Sequence, residues 1–367
     1  MPRSVSRTAS RTLARVSAVV AGAALPLAAL APIDLPAAAA EDAVVVTRLD
    51  DPAGAGDCLS GGDCSLRQAI TEANGSRPIT LPAGTYDLTL GELDVPGATV
   101  LDGAGADVVT IRQTTADSRV ISASDTVTLS GLTLTGGHAT SYGGGIGLDG
   151  PGTLQLHGVR VTGNTAATSG GGIGGDPAGR YYSVYLYSST VDANTAGGDG
   201  GGIGGGSMNL YLLNSTVADN TSTAGAGGGV FLQTLTPAGY AYPSRLQAVF
   251  STVAGNTAGR GSAVGFDTGT QTGDDSGGSL ELVAAAVAGT CARSDGSTAK
   301  ALTVYTRSSV LDDATCPLQS GDTTSALVAD LGLTALGDHG GPLPTRAPQA
   351  GSPLIDAVEA GLADWAD

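Results

Sequence analysis

One phrase recurs four times through the middle of the chain: V-T-G-N-T-A at 161–166, V-D-A-N-T-A at 191–196, V-A-D-N-T-S at 217–222 and V-A-G-N-T-A at 253–258. Its asparagines, Asn164, Asn194, Asn220 and Asn256, are 30, 26 and 36 residues apart. The first three copies lead into glycine runs closed by Ile173, Ile203 and Val230. A repeat of this length marks a solenoid, because each unit can bury its apolar face only by stacking on the next.

Setting the copies in register aligns the segments ahead of them. Leu154, Val184, Leu210 and Leu246 share one column, and Leu156, Leu186, Leu212 and Ala248 share the next but one. Alternation with period two marks strands with one buried face, and the same column buried in successive units means that the strands stack in parallel. Units of 26 to 36 residues suit a parallel β-helix better than a propeller, whose blades run to ~40–50 residues. The expected fold is therefore all-β: a right-handed, single-stranded parallel β-helix, the hand following from the crossover rule. Short apolar segments at 79–81, 86–90, 99–101, 108–111, 120–122 and 127–134 read as earlier coils. Leu66, Ala69, Ile70 and Ala73 recur at helical spacing, with Ser65 placed to cap the start and Gly75 to stop the end. That amphipathic helix is expected to lie over the open end of the stack, where core and backbone would otherwise meet water.

Residues 1–40 read as a signal peptide, since Arg3, Arg7, Arg11 and Arg15 precede an apolar stretch and a small-residue site at 38–40. Export is the expected route, with no membrane span left after cleavage. The chain carries 17 basic and 34 acidic side chains; setting aside those four arginines and Asp34 leaves 13 and 33. Such an acidic balance disfavours nucleic acid and anionic membranes as partners. Four cysteines form two local pairs, Cys58 with Cys64 and Cys291 with Cys316, and an even count in an exported chain points to disulfides. The expected organisation is a signal peptide at 1–40, a capping region at 41–78, coils at 79–320 and a closing segment at 321–367.

C-S-L-R-Q-A at Cys64–Ala69, with I-T-L-P-A-G-T-Y at Ile79–Tyr86, resembles the amino-terminal region of secreted bacterial β-helix proteins of the CSLREA type. Gln68 stands where that group usually has an acidic residue. G-D-H-G-G-P-L-P-T at Gly337–Thr345 and G-S-P-L-I-D-A at Gly351–Ala357 are similar to the closing segment of choice-of-anchor Q proteins, and the repeats to those of polymorphic outer-membrane-type proteins. The resemblance implies an extracellular β-helix associated with the cell wall. It implies little about activity.

Function is less constrained by these residues than fold. Tyr185 and Tyr211 occupy one outward column with Tyr187 beside them, and stacked rings on a flat sheet suit sugar binding through their apolar faces. A secreted structural or adhesive module contacting a polysaccharide or cell-wall glycan, as a monomer, is the leading reading. Asp149 and Asp176 follow Ile146 and Ile173 by three residues and so stand one rung apart, at about 5 Å. That is the separation of a retaining glycosidase pair, so a polysaccharide-active enzyme is the alternative. The same aspartates complete G-G-I-G-L-D and G-G-I-G-G-D, similar to the start of calcium-binding β-roll repeats. A calcium-stabilised scaffold is thus a third reading. The asparagine column reads as a ladder of amides bonded to one another and to backbone.

Overall fold

A period-two apolar pattern that returns every 26 to 36 residues has one economical solution, which is a strand laid on the equivalent strand of the previous coil. A computed structural model describes residues 43–54, 56–176, 181–234, 243–267, 278–293 and 303–358. The expected signal peptide at 1–40 lies outside them. In the coil that begins at Gly152, Gly152–His157 enters sheet I, Arg160–Thr162 sheet II, Thr165–Ala166 sheet IV and Ile173–Gly175 sheet III. The next coils repeat the order at 182–187, 190–192, 195–196 and 203–206, then at 208–213, 216–218, 221–222 and 230–233. Among the described residues sheets I and II hold ten strands each, sheet III eight and sheet IV four. Every paired strand is parallel to its neighbour, so the protein is a parallel β-solenoid.

Register is in phase throughout. Leu154 pairs with Val184, Val184 with Leu210 and Leu210 with Leu246, and all four are buried. Val161, Val191, Val217 and Val253 line sheet II in the same way, and Ile146, Ile173, Ile203 and Val230 line sheet III. The apolar segment at 127–134 is not one strand. Gly131 has φ +56°, which divides Val127–Ser130 in sheet I from Thr133–Thr135 in sheet II. The same left-handed corner recurs at Gly158, Ser188, Asn214, Phe250, Ala284 and Ser308.

Two buried polar ladders line the corners of the coils. Asn164 Nδ2 donates to Asn194 Oδ1, Asn194 Nδ2 to Asn220 Oδ1 and Asn220 Nδ2 to Asn256 Oδ1, each at 3.0 Å. The backbone N–H of the same donor residue shares each acceptor, also at 3.0 Å. Each Nδ2 further reaches a carbonyl of the preceding coil, at Leu134, Val161, Val191 and Val217. The second ladder is of serine: Val159 N–H donates to Ser189 Oγ, Ser189 N–H to Ser215 Oγ and Ser215 N–H to Ser251 Oγ, all at 3.1 Å.

At the amino end, Leu66–Ala73 is helical, and it is the one helix among the described residues. Ser65 and Gln68 form a reciprocal capping box, Gln68 N–H donating to Ser65 Oγ and Ser65 N–H to Gln68 Oε1. Gln68 therefore supplies what an acidic residue would supply at that position. The helix stops one residue earlier than glycine alone would require, on Asn74 at φ 42°, with Gly75 also left-handed. Leu66, Ala69, Ile70 and Ala73 face the core.

Arg67, on the opposite side, fastens this cap. It makes a bidentate pair with buried Asp51 at 2.7 and 3.0 Å and donates to the carbonyls of Gly91 and Glu92. Asp51 also accepts from the N–H groups of Thr89 and Leu90. Burial pushes the Asp51 pKa up, but the Arg67 bonds and these backbone donors outweigh it, and the net shift is downward. Disulfides join Cys58 to Cys64 and Cys291 to Cys316 near the two ends.

The closing segment does not simply plug the far end. After Ala326–Leu327 joins sheet II, the chain doubles back in an antiparallel turn that pairs Leu333 with Pro348 and Gly337 with Thr345. Arg346 pairs with Asp219, Thr190 Oγ donates to the Pro344 carbonyl at 3.1 Å, and Leu343 is buried. The segment thus lies along the flank of coils far from it in sequence. Leu331 packs there with Ala286 and Val310 as a small second core.

Asn220→Ala removes the acceptor of two buried donors and should lower unfolding free energy by about 3 kcal/mol, read by denaturant titration. Ser215→Ala, which removes one acceptor, should cost about 1–2 kcal/mol. Arg67→Ala leaves buried Asp51 without its cation, and a loss of about 3 kcal/mol is expected.

Candidate functional site

The outward positions of sheet I bring the predicted tyrosines together. Gln155, Tyr185, Tyr211, Gln247, Glu281 and Tyr305 follow one another in a single column, and His157, Tyr187 and Leu213 in the adjacent one. The Tyr185 and Tyr211 rings stack with centroids 4.5 Å apart and planes within 4°. His157 stacks on Tyr187 at 4.6 Å, and Tyr187 lies beside Tyr185 at 6.1 Å with parallel planes.

The sequence-based expectation is sugar binding through the apolar faces of these stacked rings. They are closed on each other, because coils spaced ~4.8 Å apart leave no room for a ligand between rings in register. The array offers ring edges and hydroxyls instead, flanked by glutamines. Burial, with help from the neighbouring phenols, raises the pKa of Tyr187 and Tyr211, so these groups stay neutral hydrogen-bonding hydroxyls. Burial lowers the pKa of His157, favouring the neutral ring in the stack.

Asp149 and Asp176 follow paired strands of sheet III, in which Leu148 lies opposite Gly175. They are therefore adjacent rungs, yet Asp149 is already engaged. Its carboxylate accepts from Arg119 at 3.0 and 3.2 Å, from Ser122 Oγ at 2.5 Å and from the Tyr142 hydroxyl. Burial raises its pKa, but the bonds from Ser122, Tyr142 and Arg119 more than offset that and hold it below the ordinary carboxylate value. The shift opposes a general-acid role for Asp149. The Tyr142 pKa moves up, from burial first and then from its bond to Asp149.

This donor set does not fit a calcium ion. Both Asp149 oxygens face hydrogen-bond donors, one of them a guanidinium, and calcium requires oxygen ligands free to point at the metal. Among the described residues no group of three or more His, Cys, Asp or Glu side chains is placed to hold a metal. Two arginines that could act as a base over an acidic sugar are likewise committed, Arg160 to Asp192 at 2.8 and 2.9 Å and Arg245 to Glu281.

Arg119, which no sequence pattern marks, organises this corner. Its Nε meets Glu92 at 3.2 Å, its NH2 donates to Ser141 Oγ at 3.2 Å, and its guanidinium lies 4.9 Å from the centre of the Tyr142 ring. Gly147 is required beneath it, since a Cβ there would lie 2.1 Å from Arg119 NH1. No column marks Arg119, Glu92 or Tyr142, because each occurs once and outside the repeated phrase. The serine ladder did carry a signal, the S-T-V written at 189–191, 215–217 and 251–253.

Comparison with protein-family models, with curated proteins and with solved structures finds no match. What stands is the parallel β-solenoid itself. No helix among the described residues is long and apolar enough to cross a membrane.

Because the Asp149 pKa is lowered on folding, its stabilising contribution is complete above the unfolded carboxylate pKa of about 3.9 and is lost as pH falls through the lower folded value. Asp149→Asn should accordingly lower stability at neutral pH and flatten the acid-side loss. Thermal melts across an acid pH series would read both effects.

Proposed function

We propose that the protein is an extracellular structural or adhesive β-solenoid that contacts a neutral glycan through the outer face of sheet I. The observation that carries this reading is the paired aromatic stack, Tyr185 on Tyr211 and His157 on Tyr187, on one flat face beside Gln155 and Gln247. Half-buried phenols in fixed rows combine apolar edges with hydroxyls whose positions cost little further ordering. A glycan lying across them would exchange hydrogen bonds with successive rungs. The acidic balance, 34 carboxylates against 17 cations, argues for a neutral rather than a polyanionic chain.

Export is supported by the leader-like residues 1–40 and by two disulfides, and surface placement by the resemblance of the end motifs. A parallel stack suits a load-bearing or displaying role, because successive coils repeat one outer face along the axis.

The edge-on geometry gives the reading a specific test. Affinity electrophoresis in neutral glucans, mannans and xylans should show retardation of the intact protein. Tyr185→Phe and Tyr211→Phe keep the stack and remove one hydroxyl each, and each should weaken retention about fivefold, the equivalent of one ordinary hydrogen bond. Phenylalanine variants retarded like the wild type would show that the hydroxyl rows are not the contact surface.

A further inference from the structure

The four cysteines are all engaged in the two disulfides near the ends of the stack, so no disulfide joins the coils between them. Midway along, the register sets two phenols on each other. Tyr185 and Tyr211 lie directly opposite in neighbouring strands of sheet I, with ring centroids 4.5 Å apart and planes within 4°. Gln155 precedes the pair in its column and Gln247 follows it, while Tyr187 is further off, at 6.1 Å from Tyr185.

The two side chains are held in place without being sealed. Val184, Leu186, Leu210 and Leu212 are buried on the inner face and fix both strands, whereas Tyr185 and Tyr211 are only half-buried on the outer one. A phenol gives up one electron readily, and the resulting radical carries spin at the ortho carbons. Two such radicals held in contact couple in a unimolecular step, where free ones must first meet by diffusion. Thiols are the usual interceptors of such radicals, and no free cysteine lies among the described residues.

We propose that Tyr185 and Tyr211 are an oxidative cross-linking site, joined by a peroxide-driven one-electron oxidation into a bityrosine between adjacent coils. Each ring loses one electron and its hydroxyl proton. One ortho carbon of Tyr185 bonds to one of Tyr211, and the hydrogen displaced from each of these carbons moves to the ring oxygen, restoring both phenols. Hydrogen peroxide takes up the two electrons and two protons and leaves as two waters, with a haem peroxidase as the electron-transfer catalyst. To form the bond the rings turn out of the parallel stack about Cβ–Cγ, a torsion that is broad in tyrosine. The backbones need no shift, since paired strands already lie at the rung spacing of ~4.8 Å.

The new bond closes the chain from Tyr185 to Tyr211 into a covalent loop. A cross-link of this kind removes freedom from the unfolded chain, and it fastens the stack at a place that neither disulfide reaches. The inference does not rest on glycan binding.

Intact protein at high dilution, with no glycan present, is treated with hydrogen peroxide and a haem peroxidase. A parallel sample is treated with a ruthenium trisbipyridyl photo-oxidant and persulfate, which need no docking on the phenol. The monomer is then assayed for bityrosine fluorescence and intact mass, and cleaved on the amino side of aspartate. That cleavage puts Tyr185 in fragment 176–191 and Tyr211, as the sole tyrosine, in fragment 199–218. The monomer should lose two hydrogens and the two fragments should appear joined. Tyr185→Phe and Tyr211→Phe keep the ring and should each abolish the joined pair, while Tyr305→Phe, beyond Gln247 and Glu281 in the same column, should leave its yield unchanged. No joined pair with either oxidant, a pair that survives Tyr185→Phe, or fluorescence confined to linked dimers would each overturn the proposal. Failure of the glycan reading shows differently, as protein that is not retarded in any glycan gel and yet still forms the link.

Discussion

Each repeated coil turns the same corner on one buried asparagine, whose amide is completed by the coils above and below. Asn194 donates to Asn220, accepts from Asn164 and reaches back to the Val161 carbonyl. A buried amide left unpaired is costly, so the ladder ties the register of each coil to that of its neighbours. The glycine run is the other half of the same constraint. A Cβ at Gly172 would lie 2.9 Å from Asn194 Nδ2, at Gly202 2.9 Å from Asn220 Nδ2 and at Gly229 2.8 Å from Asn256 Nδ2. The two parts of the repeated phrase meet across the coil, the glycine clearing the space that the amide fills.

That fixed rung spacing governs the surface as much as the core. It places Tyr185 over Tyr211 at stacking distance and so closes the ring faces that would otherwise receive a sugar. It brings Asp149 and Asp176 to adjacent rungs, but Arg119 reaches in from an earlier part of the chain and neutralises the first of them. Where the repeat is regular, side chains mostly satisfy one another. In the earlier, less regular coils, Glu92 and Asp94 border a cavity beside Arg119.

The solenoid and its inward columns were legible in the sequence because burial there obeys a translation: Val184 is where it is because Leu154 and Leu210 are. The capping helix was legible for the same kind of reason, from Leu66, Ala69, Ile70 and Ala73 at helical spacing. Three things were not. The break at Gly131 depends on a left-handed corner that the apolar run at 127–134 conceals. The path of the closing segment depends on Arg346 meeting Asp219, two residues 127 apart with no shared pattern. The Arg119 cluster likewise joins side chains from unrelated positions, and only the folded chain brings Glu92, Tyr142 and Asp149 to one guanidinium.

The amide ladder is tested most directly by hydrogen exchange at the backbone N–H groups of Asn164, Asn194 and Asn220, each bonded to the side-chain oxygen of the next asparagine at 3.0 Å. If the ladder holds the stack in register, these corner amides should exchange only through global unfolding, as slowly as the central strands of sheet I. Exchange at the rates of exposed turns, with the strands still protected, would show that the coils are held together without it.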